Sequence, residues 1–260
     1  MIVAPATGMR ARRVPPVIVV AIAAAWAVAI VAQLTGSAEL FGHDALAVSD
    51  TPLGVALALF LVGWQLMIVA MMLPSSLPLV RMFRVAAANQ PRPSHAMAAL
   101  LAGYALVWTA FGAAAFLGDM VLHRLVERWD WLSGHPQVIG GSVLLLAGAF
   151  QFSDLKDRCL RECRHPGPFL VQHYGRGAAS AFRLGRAHGL FCLGCCWALM
   201  LVASAVGVAS LWWMAALTAI MVFEKTGRRG DRAVVPVGIW LLLAGVVTLA
   251  SPALVSGGAA

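Results

Sequence analysis

Three thiols fall within five residues, Cys192, Cys195 and Cys196, and a second pair, Cys159 and Cys163, lies about thirty positions upstream; these are all five cysteines of the chain. Positions three and four apart share one face of a helix, so Cys192 can converge with Cys195 or Cys196, and Cys159 with Cys163. Met200 continues the 192–196–200 stripe, and Met67, Met71 and Met72 add thioethers on an earlier apolar segment. Thiolates and thioethers together are soft ligands that select Cu(I), while zinc is the commoner user of four thiolates. His188, one turn before Cys192, can serve as a further ligand or hydrogen-bond a carbonyl. Methionine and cysteine also fill apolar cores, and any one of these methionines alone reads as packing. Three thiols in five residues beside a second pair read as a site.

These residues need elements to hold them, and the composition says which. The 260 residues are 61% hydrophobic and 12% charged, with a net charge of +8. Soluble domains run at about 45–50% apolar and about 25% charged, so an ordinary soluble domain is excluded. A disordered chain and a disulfide scaffold are excluded with it. The expected fold is all-α: a polytopic integral membrane bundle forming a single domain over 1–260.

A span needs about 20 apolar residues. Val14–Leu34, Leu53–Leu73, Ala96–Gly118 and Ala233–Val255 meet that without a charge, and 136–152 gives a shorter span. Residues 187–223 contain no Asp, Glu, Lys or Arg. As one helix they would run about 55 Å, so they split near Gly207–Ser210 into 188–207 and 209–223. Seven spans result. Of the 19 Lys and Arg residues, 17 then fall on the side of the N-terminus. That excess marks the cytoplasm, so the N-terminus is expected inside and the basic residues orient the chain rather than bind nucleic acid. The first span exceeds the 7–15 apolar residues of a signal-peptide core and reads as an anchor.

This topology puts both thiol clusters at the cytoplasmic boundary. Cytosolic thiols are kept reduced, so clusters there read as metal-binding or catalytic rather than as disulfides. Pro74 and Pro78 are expected to stop the second helix or pin its exit. Glu224-Lys225 reads as an interfacial pair. No charge is expected deep in a span, Gln65 being the main polar exception, which speaks against ion pumps. The connection 164–187 reads as an in-plane segment interrupted by Gly175, Gly177 and Gly185. Trp129, Trp131, Trp212 and Trp213 suit an interfacial belt, and His43, His123 and His135 fall on outer connections that could receive or release a metal.

Two strings carry a resemblance. Trp64-x2-Met67-x2-Ala70-Met71-Met72-Leu73-Pro74, and Ala187-His188-Gly189-Leu190-Phe191-Cys192-Leu193-Gly194-Cys195-Cys196-Trp197-Ala198-Leu199-Met200, resemble a bacterial family of predicted metal-binding integral membrane proteins often labelled copper chaperones. Gln151 to Cys163, with Leu155-Lys156, Cys159-Leu160 and Cys163-Arg164, and later Trp213-Met214 and Glu224-Lys225, extend it over roughly 60–225. One departure is Ser153-Asp154 where the family usually has Thr-Pro before Leu-Lys, which concerns the shape of that loop rather than the ligands. The resemblance implies copper handling.

The functional expectation is a non-enzymatic, multi-pass protein of the bacterial inner membrane that holds Cu(I), ahead of zinc. Cys192, Cys195 and Cys196 are the primary ligands, Cys159 and Cys163 a gate or second pair. Met67, Met71, Met72 and Met200 are weaker contacts, with His188 at the edge. Expected partners are the bilayer, the metal and a metal-accepting protein. Two alternatives stay open: a thiol-redox protein working through Cys192, Cys195 and Cys196, and a structural assembly factor in which the cysteines only pack.

Overall fold

A computed structural model describes residues 14–36, 52–205 and 211–250. Of these 88% are helical and none forms a strand, in line with the all-α expectation. The helices are α1 (Pro16–Leu34), α2 (Leu53–Met71), α3 (Leu73–Ala86), α4 (Pro93–Arg128), α5 (Asp130–Ser133), α6 (Pro136–Phe150), α7 (Asp154–Arg164), α8 (Pro166–His173), α9 (Ala178–Ala205), α10 (Leu211–Thr226) and α11 (Val234–Ala250), the last preceded by a 3-10 turn, Gly230–Ala233. Four of them begin on a proline, Pro16, Pro93, Pro136 and Pro166. At the first helical position the missing N–H costs nothing and the fixed φ is already helical.

Among the described residues five segments are long and apolar enough to cross a membrane, α1, α2, α4, α9 and the turn with α11, and a sixth results if α6 and α7 form one span bent by 66°. The expected count of seven also needs α10, whose 16 residues cover about 24 Å. The acidic connection with Glu39, His43, Asp44 and Asp50, the N-terminal Arg10, Arg12 and Arg13, the break at 207–210 and the last residues of the seventh expected span lie outside the described residues.

Two boundaries move. The third span runs on to Arg128, so Asp119, His123, Arg124 and Glu127 sit on the same 36-residue helix rather than on a loop. The fifth begins at Ala178, ten residues before its expected start, and takes in Gly185. Gly177, at φ +86°, precedes it, and the short helix α8 occupies the rest of the supposed in-plane segment. Gly185 does not break α9 because its use is lateral. A Cβ there would run into the Leu100 carbonyl oxygen of α4, so glycine lets the two helix backbones touch.

The second helix stops just before Pro74, as expected, but the chain does not leave helical structure there. Met72 alone separates the two helices, and the new one starts at once with Pro74 in its first turn and Pro78 inside it. Pro74 has no N–H for the Ala70 carbonyl four residues back. The indole N–H of Trp26, on α1, donates to that carbonyl instead, at 3.1 Å. Ser75 and Ser76 turn their hydroxyls back onto the Met72 carbonyl, at 2.8 and 3.4 Å, which keeps the junction hydrogen-bonded.

At Ser153-Asp154, the point of departure from the family pattern, Ser153 Oγ accepts from the Lys156 amide at 3.2 Å and caps α7. Asp154 and Asp157 occupy its first turn, Arg161 and Arg164 its last, the placement that a helix dipole favours. Ser153→Ala is expected to cost about 1 kcal/mol, read as a lowered midpoint in denaturant unfolding of the detergent-solubilised protein.

Candidate metal centre

All five cysteines are buried and reduced: the α9 set is 0–1% exposed and the α7 pair 7%. They belong to one core, together with Met67, Met71, Met72, Met200, Met214 and Met221. The two clusters meet. Cys163 Sγ of α7 lies 3.9 Å from Cys195 Sγ of α9. The approach depends on a residue between the α9 thiols, since a Cβ at Gly194 would stand 2.5 Å from Cys159 Sγ.

Cys192 Sγ faces two polar side chains. Lys225 Nζ donates to it at 3.0 Å, and the Tyr104 hydroxyl lies 3.2 Å away. Cys196 Sγ is 3.6 Å from Lys225 Nζ and 3.6 Å from Met72 Sδ. Cys195 and Cys196 both turn their S–H groups back to the Cys192 carbonyl, at 3.1 and 2.7 Å, the i−3 and i−4 back-bonding that short polar side chains adopt in helices. The close sulfur–sulfur contacts are Cys163–Cys195 and Cys196–Met72, and among the described residues no three His, Cys, Asp or Glu side chains are arranged as a metal site.

Of the four methionines expected here, Met72 makes the direct sulfur contact; Met67, Met71 and Met200 line the same core at 0–3% exposure. His188 is buried, with Nε2 3.1 Å from Ser76 Oγ, and its ring stacks on Tyr104 at 5.7 Å. It thus stands next to the phenol that touches Cys192 and makes its own hydrogen bond to serine. Of the outer histidines, His123 pairs with Asp119 on α4 at 3.2 Å and His135 bonds the Trp131 carbonyl at 2.6 Å.

Glu224-Lys225 is not an interfacial pair. Both residues are buried, 2% and 5% exposed, and they point to different neighbours. Glu224 Oε2 takes the ammonium of Lys156 at 2.7 Å, the lysine being 1% exposed, and Arg164 donates to the Glu224 carbonyl. Lys225 goes to the sulfurs and to Ser75 Oγ, 3.3 Å away. Three charges are therefore enclosed where none was expected. Sequence reasoning missed the inward roles of Lys225, Lys156, Tyr104 and Ser75. The lysines were visible as charges at the ends of apolar runs, but nothing in their spacing said that they point inward.

A family model described as copper chaperone (PpoB2) matches residues 61–248, a stretch that holds every cysteine and all the helices from the second half of α2 into α11. No curated protein and no solved structure matches the chain.

Proposed function

The chain belongs to the copper-chaperone family, and on that premise we propose that it is a multi-pass inner-membrane protein that receives Cu(I) on the sulfurs of α7, α9 and Met72 and passes it to a metal-accepting protein. The observation that carries this reading is the 3.9 Å separation of Cys163 and Cys195. It joins two cysteine clusters, far apart in the chain, into one sulfur-lined interior. Cys192 and Cys196 with Met72 offer one soft pair with a thioether, and Cys163 and Cys195 offer another. Sulfurs that converge in pairs suit a low-coordinate soft ion better than zinc, which wants four donors around one tetrahedral centre. Movement of the ion from pair to pair is then an exchange of ligands, and no bond of a substrate has to be broken.

The membrane reading draws support from large apolar side chains that face outward, among them Val17, Leu34, Val62, Leu243 and Val246. In water such a coat would associate; in hydrocarbon it is the ordinary surface of a bundle. With the Lys and Arg excess inside, the buried sulfur cluster lies toward the cytosolic side.

The test is copper content after purification from copper-fed cells under reducing conditions. The unchanged protein is expected to carry copper in stoichiometric amount, and the Cys192→Ser/Cys195→Ser/Cys196→Ser variant only background. Equal copper in the two proteins removes the proposal. The same 3.9 Å contact also favours a second reading, a reversible Cys163–Cys195 disulfide. An alkylation shift between oxidised and reduced protein, in preparations that hold no copper, would select it.

A further inference from the structure

Lys225 is a buried cation whose counter-charge is not a carboxylate. Its chain neighbour Glu224 is taken by Lys156. Consecutive helix residues diverge by about 100°, so the two side chains leave the end of α10 toward different elements. Around Lys225 Nζ stand Cys192 Sγ at 3.0 Å, Ser75 Oγ at 3.3 Å and Cys196 Sγ at 3.6 Å, and among the described residues no acid pairs with it. An enclosed ammonium is tolerated only where an opposite charge or strong acceptors compensate it. The groups able to supply that charge here are the sulfurs that would also hold the metal.

We propose that Lys225 is the charge-selecting residue of the sulfur site: its fixed positive charge lets a monovalent soft ion be held between two thiolates and turns a divalent one away. This rests on the copper-binding reading above and deepens it. Two thiolates and a monovalent ion carry one net negative charge, which Lys225 neutralises. Two thiolates and a divalent ion are neutral by themselves, and Lys225 then leaves an uncompensated positive charge in a dry interior. Remove the ammonium and the preference inverts, because the divalent complex becomes the neutral one. Softness of the sulfurs alone does not discriminate in this way, since soft ions of either charge bind thiolate.

The decisive experiment uses Ag(I) and Cd(II), both soft, on the unmodified full-length protein in detergent under reducing conditions, with Cu(I) and Zn(II) run in parallel. Ag(I) and Cu(I) are expected to be retained through desalting, and Cd(II) and Zn(II) to fail as competitors. Lys225→Met, close to lysine in length and neutral, is expected to lower the preference for Ag(I) over Cd(II) by about 100- to 300-fold, the scale for a unit charge some 5 Å away at an effective dielectric of about 20. Lys225→Arg, which keeps the charge, is expected to retain the preference.

Unmodified protein that holds Cd(II) as firmly as Ag(I) overturns the proposal, and this arm needs no variant to fold. A folded Lys225→Met protein with an unchanged preference overturns it too, while copper binding itself stands. Unmodified protein that takes up neither Ag(I) nor Cu(I) brings down the copper reading, and the selectivity claim with it.

Discussion

Lys156→Met is expected to destabilise the protein by about 3–5 kcal/mol, the usual cost of removing one partner from an enclosed ion pair. Lys156 and Glu224 are 1% and 2% exposed, and their 2.7 Å contact joins α7 to α10. The carboxylate is already short of partners, since Glu224 Oε1 is buried without a hydrogen bond. With the ammonium gone both oxygens would be stranded. Because α7 carries Cys159 and Cys163, loosening it should also separate Cys163 from Cys195. The double variant Lys156→Met/Glu224→Gln is expected to recover most of the loss, since no charge then remains to be compensated. Unfolding midpoints in detergent for the two single variants and the double variant close the cycle. A double variant that loses the sum of the two single losses would mean that the two side chains matter separately and not as a pair.

Gly185→Leu should have an effect at least as large, on the bundle rather than on the site. The α4–α9 contact brings backbone against backbone at Gly185, whose missing side chain faces the Leu100 carbonyl. A leucine cannot yield there by changing rotamer, because its Cβ is already in the way. The helices must part, and the cost is expected to exceed the ~1–3 kcal/mol of ordinary overpacking. Failure to recover a monodisperse protein in detergent is the expected readout. Gly118→Ala on α4 is the control: a Cβ placed at that position would meet nothing within 4 Å, and alanine is the better helix former by about 1 kcal/mol. A Gly185→Leu protein as stable as this control would show that the close crossing is dispensable.

The helical plan was legible because apolar runs of the right length leave few other choices in a chain with so few charges. The thiol pairing was legible for a similar reason: C-x2-C-C and C-x3-C at helical spacing each produce a shared face, and only their mutual contact needed coordinates. What the pattern misreads are residues whose role is set by a neighbour across the bundle. Gly185 looks like an interruption until α4 is seen lying against it. Pro74 looks like a stop, and the second helix does end at Met71, yet a new helix begins at once because a proline in its first turn gives up no bond, and Pro78 is carried inside it. Glu224-Lys225 looks interfacial because charges at the ends of apolar runs commonly lie there, and hydropathy does not record which way a side chain turns. His123 and Asp119 look like loop residues because α4 outlasts its own apolar stretch.

The junction between α2 and α3 has a reach beyond its own turn. Where solvent offers no substitute donor, withdrawal of the first helix would strand an oxygen in oil, because the indole that completes the Ala70 carbonyl belongs to Trp26. Two residues further along is Met72, whose sulfur touches Cys196. The first helix is thereby latched to the junction that presents a thioether, and whatever shifts that helix against α2 is coupled to how the sulfur is aimed.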